Sequence, residues 1–219
     1  VILHMQRKRI MQKRVFNLII VDESGSMSCI ENQALAGMNE TLSTIVKMDK
    51  IHENVEQLTT LITFDSEHRK FVFDNAPASK LRTMTNHDYS PCGATPLYDA
   101  IGIGIAKVNA LTSPEDNVLV TIITDGEENC STEYNLKMVK NLIEKLKKQN
   151  WTFTFIGTEE LDVEGMAASM GIDAHLSFKQ DMEGTKLMFK KEKLCRAQFC
   201  QCVAENMPLE AKSFFKVKK

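Results

Sequence analysis

No apolar run in the 219 residues approaches the ~18 needed to cross a bilayer. The first residues also lack the continuous apolar segment and small-residue cleavage site of a signal peptide. Membrane association and export are therefore not expected, and a cytoplasmic location is. Charge of one sign is scarce too: the formal net charge is -2, which argues against non-specific nucleic-acid binding by the whole surface. The local basic clusters, Arg7-Lys8-Arg9 with Lys13-Arg14 and Lys212, Lys216, Lys218 and Lys219, read as solvated, frayed termini. Internal repeats and low-complexity stretches are missing. The five histidines, His4, His52, His68, His87 and His175, show no metal-ligand spacing and read as surface residues. Six cysteines without an export signal fit free thiols in a reducing compartment better than a disulfide framework.

With 43% hydrophobic residues, a chain of this length can bury roughly 70% of its unfolded surface as one domain. The expected division is a flexible or appended N-terminus over 1–13, one domain over 14–205, and a basic C-terminal tail over 206–219. Inside the domain, short apolar strands alternate with amphipathic helices. Strands are expected at Val15–Val21, Leu58–Phe64, Phe71–Phe73, Asn117–Thr124, Trp151–Ile156 and Ala174–Phe178. The six residues between the second and third of these, beginning Asp65-Ser66-Glu67-His68, allow an antiparallel hairpin and no parallel crossover. Helical spacing marks Leu35, Met38, Leu42, Ile45 and Val46, then Leu97, Ile101, Ile105 and Val108, then Leu136, Val139, Leu142 and Leu146. Val163, Met166 and Met170 mark a short helix, and Leu187–Val203 a closing one. Ser28-x-x-Glu31 reads as a capping box, and Thr95-Pro96 as an N-cap followed by a first helical proline. Residues 74–94 read mostly as loop, with a short helical turn. The sum is an α/β fold, Rossmann-like and doubly wound, with a mostly parallel six-stranded sheet, one antiparallel edge strand and helices on both faces.

The chemistry concentrates in Asn17–Met27, NLIIVDESGSM. An apolar strand stops at Asp22, and oxygen-bearing side chains follow at every second position: Asp22, Ser24, Ser26. In open α/β sheets, ligands bind beyond the carboxyl ends of the strands where strand order reverses. If the strand ending at Thr124 neighbours the first strand there, Asp125 converges on Asp22 and the loop carrying Thr95 closes over both. Asp22, Ser24, Ser26, Thr95 and Asp125 then offer only oxygen donors, the preference of a hard ion such as Mg²⁺ or Mn²⁺.

This constellation resembles the metal-ion-dependent adhesion site of the von Willebrand factor A (VWA) domain family. The matching motifs are Asp22-x-Ser24-x-Ser26, Thr95 within Gly93-Ala94-Thr95-Pro96-Leu97, and Asp125 within Thr124-Asp125-Gly126, over residues 14–178. The resemblance implies direct coordination by Ser24 and Ser26, action largely through water by Asp22 and Asp125, and coordination by Thr95 directly or through water. It further implies a binding module, not an enzyme, whose protein partner supplies an Asp or Glu carboxylate. Stand-alone intracellular microbial members act beside AAA+ ATPases or with kinase and phosphatase systems. The family's second glycine before the threonine is Ala94 here, a small expected change of loop.

Two other readings are a Mg²⁺-dependent hydrolase or phosphoryl-transfer enzyme and a structural module with a vestigial site. Phosphoryl transfer at a strand-tip aspartate would want a second acid where Ser24 stands, and Ser24 lacks a G-x-S-x-G elbow. Gly102-Ile103-Gly104 lies in a helical pattern and reads as close packing. On the closing helix, about 100° per residue puts Cys200 roughly 140° from Cys195 and 160° from Cys202, so one ion cannot collect all three. Cys195 and Cys202 read as core. Cys29, Cys92 and Cys130 each lie within five residues of a proposed ligand and are candidates for an oxidation-sensitive rim, with incidental loop thiols as the plainer reading. Glu127 and Glu128 are expected to face solvent.

Overall fold

The computed structural model describes residues 12–209 and 214–216. Six strands form one sheet: β1 (Lys13–Asp22), β2 (Val55–Phe64), β3 (Arg69–Pro77), β4 (Asn117–Thr124), β5 (Trp151–Thr158) and β6 (Ala174–Phe178), in the order β3-β2-β1-β4-β5-β6. Every pairing is parallel except β2–β3, the antiparallel edge hairpin. Successive strands add to one side of β1 and then to the other, so the order reverses between β1 and β4, where Val21 pairs with Ile123. The ends of β4 and β6 fall where the sequence places them. β1, β2, β3 and β5 run further than the apolar runs, since exposed or half-buried residues such as Arg69 and Lys70 still join the ladder.

Alternation along β1 divides the core in two. Val15, Ile19 and Val21 point to the face covered by α1 (Glu31–Ile51) and α5 (Met182–Glu205); Phe16, Leu18 and Ile20 point to α2 (Leu97–Asn109), α3 (Leu136–Leu146) and α4 (Val163–Ser169). With helices on both faces, the strand must be apolar on both, which is why it reads as a continuous run. The exception is Asn17, fully buried beneath α5. It accepts from the guanidinium of Arg196 (2.6 Å) and donates to Gln57 (2.9 Å). Arg196 also binds Glu192 (2.7 Å) and Thr121 (2.8 Å), and Thr41 of α1 donates to Glu192 (3.2 Å). A polar network thus bolts α5 to β1, β2, β4 and α1 inside an otherwise apolar layer.

Several local expectations are corrected. Ser28 does not cap α1: a 3₁₀ turn (Gly25–Ile30) intervenes, and the Ser28 hydroxyl donates to Gly25 O (2.6 Å). Residues 74–94 are mostly loop with a short helical turn, the 3₁₀ turn at Ala78–Lys80, as expected; the one difference is that β3 continues to Pro77. In α3 Ile143 is buried and Leu142 only half so; on α5 Cys200 is buried, accepting from Gln57 (2.9 Å), while Cys202 is half-buried. All six cysteines are free. Lys13 and Arg14 are not frayed: Lys13 donates to Val203 O and Ala204 O, and Arg14 pairs with Asp116. Phe214 and Phe215, within the segment read as a solvated tail, are buried against Phe199 and one another. The readings of Arg7–Arg9, Lys212, Lys218 and Lys219 lie outside the described residues. The glycines of α2 do mark close packing, since a Cβ at Gly102 would fall 2.2 Å from the Tyr134 ring and one at Gly104 would fall 2.9 Å from Ile62. Among the described residues no helix is long and apolar enough to cross a membrane.

Candidate metal centre

The carboxyl ends of β1 and β4 lie side by side, and the five oxygen-bearing residues named from the sequence meet above them. Asp22 Oδ1 accepts from the Ser24 N–H (2.8 Å) and Oδ2 from the Thr124 hydroxyl (2.5 Å). Ser24 Oγ stands 3.1 Å from Ser26 Oγ, which donates to Asp125 Oδ1 (2.8 Å). A Cβ at Gly126 would fall 3.0 Å from Thr95 Oγ1 and 3.8 Å from Asp22 Oδ2, so this glycine keeps open the space between the hydroxyl and the carboxylate. The donor set fits a hard divalent cation. An octahedron with arms of 2.0–2.1 Å has edges of about 3 Å, close to the separation of the two serine oxygens.

Burial pushes the Asp22 carboxyl up to about 6, against the bonds from Thr124 and Ser24, and the Asp125 carboxylate adds to the rise. Burial raises Asp125 as well, opposed by Ser26 and Gln180. Two carboxyl groups are therefore held in a place that disfavours their charge unless a cation accompanies them.

The surroundings contain residues that the motifs do not reveal. Glu23, between two candidate ligands, is fully buried. Its Oε1 accepts from Lys70 (2.7 Å) and from the Ser90 N–H (2.5 Å), while Oε2 has no protein partner. The buried Tyr89 donates to the Asp22 carbonyl (3.0 Å), and its phenol is held protonated by burial and by the neighbouring carboxylates. Gln180, between β6 and α5, donates through Nε2 to Asp125 Oδ2.

The N-terminus of α2 is served differently from the sequence expectation. Thr95 is not its N-cap; the helix begins at Leu97. Glu128 accepts from the N–H groups of Tyr98 (2.9 Å), Cys130 (2.8 Å) and Ser131 (2.7 Å), so it ties two loops together and does not face solvent. Asn129 accepts from the Thr95 N–H (2.9 Å), and Asp99 accepts from Thr132, Glu133 and Tyr134. The loop after β4 supplies the cap from outside, which leaves the Thr95 hydroxyl free to face Gly126.

The Thr95 loop turns at Gly93, whose φ is +66°, and Gly25 N–H donates to Gly93 O (3.1 Å). Ala94 does not have positive φ; its N–H donates to Ser66 Oγ (2.9 Å), so alanine fits where a second glycine was expected. Gly93→Ala should cost about 1–2 kcal/mol of backbone strain, with a further clash because the Cβ would fall 2.5 Å from Ser66 Oγ. Thermal unfolding should register that loss, whereas Ala94→Gly should shift the midpoint little.

Of the three rim cysteines, Cys29 is exposed beside Ser26 O, Cys130 is half-buried, and Cys92 lies 3.4 Å from Asp65 Oδ2. Burial and then Asp65 push the Cys92 thiol up. Asp65 and His68 were not anticipated beside it. Among the described residues, Asp65, His68 and Cys92 are the one group of three or more His, Cys, Asp or Glu ligand atoms lying within 4.8 Å of one another.

No protein-family model and no curated protein sequence matches the chain. Solved structures do. The vWF domain of the pilus tip protein Mfa5 from Porphyromonas gingivalis aligns with TM-score 0.62 at 10% identity, over 91% of this chain and 98% of that one. The SpRpn10 VWA domain aligns with TM-score 0.54 at 12% identity, over 83% and 95%. The PilB minor pilin from Streptococcus sanguinis aligns with TM-score 0.59 at 12% identity over 87% of this chain, which spans only 62% of the pilin. The strand order, the antiparallel edge hairpin and these superpositions lead to one conclusion: the chain has a von Willebrand factor A-like fold.

Proposed function

We propose that this protein is a divalent-cation-dependent binding module, not a catalyst, which captures an Asp or Glu side chain of a protein partner. The observation that carries the reading is the convergence of Ser24 Oγ, Ser26 Oγ and Asp125 Oδ1 within 3.1 Å contacts beside Asp22 and Thr95. Ser24, Ser26 and Thr95 would hold the ion through neutral hydroxyls, with Asp22 and Asp125 behind them. Mg²⁺ or Mn²⁺ there supplies an electrophilic centre with a coordination position left for an incoming carboxylate.

The chain's own residues keep this arrangement rigid. Thr124 and the Ser24 N–H orient the Asp22 carboxylate, and Tyr89 fixes the backbone beneath it. Glu23 with Lys70 joins the tip of β1 to the edge hairpin. The oxygen neighbours of Ser24 and Ser26 are each other and Asp125, with no imidazole among them to activate a nucleophile. The six free thiols support a reducing, cytoplasmic compartment; two of the structural neighbours are pilus proteins, so the fold alone does not select it. An AAA+ ATPase or a kinase and phosphatase system is the partner class the resemblance favours.

Calorimetric titration with MgCl₂ tests the ion directly. At a hundredfold excess over Kd, binding should add about 2.7 kcal/mol to unfolding stability. Thr95→Ala should weaken the effect, Asp22→Ala should abolish it, and capture of an acidic protein partner should require the cation in parallel. A wild-type melting temperature indifferent to Mg²⁺ and Mn²⁺ would refute the reading.

A further inference from the structure

We propose a second cation site, of zinc type, formed by Asp65 Oδ2, His68 Nδ1 and Cys92 Sγ, separate from the all-oxygen cluster. Asp65 Oδ2 lies 3.5 Å from His68 Nδ1 and 3.4 Å from Cys92 Sγ. Tetrahedral zinc, with bonds of about 2.0 Å to oxygen and nitrogen and 2.3 Å to sulfur, has O···N edges of about 3.3 Å and O···S edges of about 3.5 Å. Asp65 Oδ2 therefore already stands at ligand separation from each of the other two donors, and ligand atoms of all three residues lie within 4.8 Å of one another.

The Asp65 carboxylate and the backbones of His68 and Cys92 are held there by bonds that do not depend on a cation. Asp65 Oδ1 accepts from the N–H groups of Glu67 (2.6 Å) and His68 (2.7 Å), leaving Oδ2 for the site. The Asp65 N–H closes the hairpin turn on His68 O (2.9 Å), and the Cys92 N–H donates to Glu23 O (2.8 Å). Asp65 is buried, whereas the His68 side chain is 55% exposed, so entry is from the solvent side and a fourth position remains for water. A thiolate, an imidazole and a carboxylate together select a borderline-soft ion over Mg²⁺, which takes oxygen ligands. Binding releases the Cys92 thiol proton to solvent.

The site ties the β2–β3 hairpin to the loop that carries Thr95 three residues further on, already joined through Ala94 N–H and Ser66 Oγ. Its occupancy would stiffen that loop, a consequence that rests on the function proposed above; the cation site itself does not.

Cobalt(II) is the probe, titrated into the whole chain under reducing conditions with MgCl₂ in large excess. The expected result is a near-ultraviolet thiolate-to-cobalt band and visible tetrahedral bands saturating at one equivalent. Cys92→Ser should abolish the thiolate band, and His68→Ala, at an exposed position that folding tolerates, should weaken binding at least about tenfold. Asp22→Asn should leave the band intact even where the response to Mg²⁺ is lost, which separates failure of one site from failure of the other. Absence of the band, its persistence in Cys92→Ser, or its loss in Asp22→Asn would overturn the proposal.

Discussion

Arg196→Ala should lower unfolding stability by about 3–5 kcal/mol, the usual cost of removing one partner from a buried ion pair. Arg196 is fully buried and Glu192 nearly so, and the guanidinium reaches Glu192, Asn17 and Thr121 at once. Without it, the Glu192 carboxylate keeps only the Thr41 hydroxyl, and the Asn17 carbonyl oxygen loses its donor. For a chain of this size the melting temperature should fall on the order of 10 °C. The double variant Arg196→Met with Glu192→Leu should recover more than half of the loss, because apolar replacement of a whole buried pair is often near neutral. Urea unfolding of the three proteins decides it; a single-variant loss under about 1 kcal/mol would show that water reaches the pair.

Asp22→Asn should do the opposite in the absence of metal. The Asp22 carboxyl, with an ordinary value of 3.8, is raised to about 6 by burial. Below pH 3.8 the folded and unfolded chains both hold the proton and the fold suffers no loss. As pH rises through the folded value the unfolded chain is already ionised, so stability drains away, by about 3 kcal/mol once both states are charged. Asparagine removes that charge and keeps the bonds. Its Oδ1 accepts from Ser24 N–H, and its amide donates to Thr124 Oγ1, whose proton turns to Gly126 O 3.0 Å away. With EDTA, the variant should melt roughly 5–10 °C above wild type at pH 7.5 and close to it at pH 3.5, while losing its response to Mg²⁺. A variant less stable than wild type at pH 7.5 with EDTA would contradict this.

What the sequence makes legible divides along physical lines. The sheet is readable because β1 and β4 are buried on both faces and therefore continuously apolar, and each stops at an aspartate. The oxygen cluster is readable because its members sit at strand tips, where topology alone brings Asp22 and Asp125 together. Local capping is less so: Ser28 and Thr95 both have N-cap chemistry, but one serves a 3₁₀ turn and the other faces Gly126, while Glu128 and Asn129 arrive from a distant loop to do the capping. Nothing in α5 announces Arg196, which has the composition of a surface residue and is buried only because Asn17 waits across the layer. Asp65, His68 and Cys92 have no recognisable spacing, since a hairpin turn and a loop 24 residues away meet only after the sheet is assembled.

The bond between Ser26 and Asp125 closes across 99 residues of chain, and the Gln180 amide reaches Asp125 from 55 residues further on. A ribosome-bound chain that has emerged only through β1 presents the Asp-Ser-Ser tip with nothing opposite it. Convergence of the full donor set must wait until β4 has slotted in beside β1, a step slowed by the long loop it closes. Occupancy of the site by the proposed ion would therefore report that β4 has docked beside β1. Under the proposed function, a partner that reads the bound ion would pass over copies whose β4 has not docked, without any separate means of inspecting them.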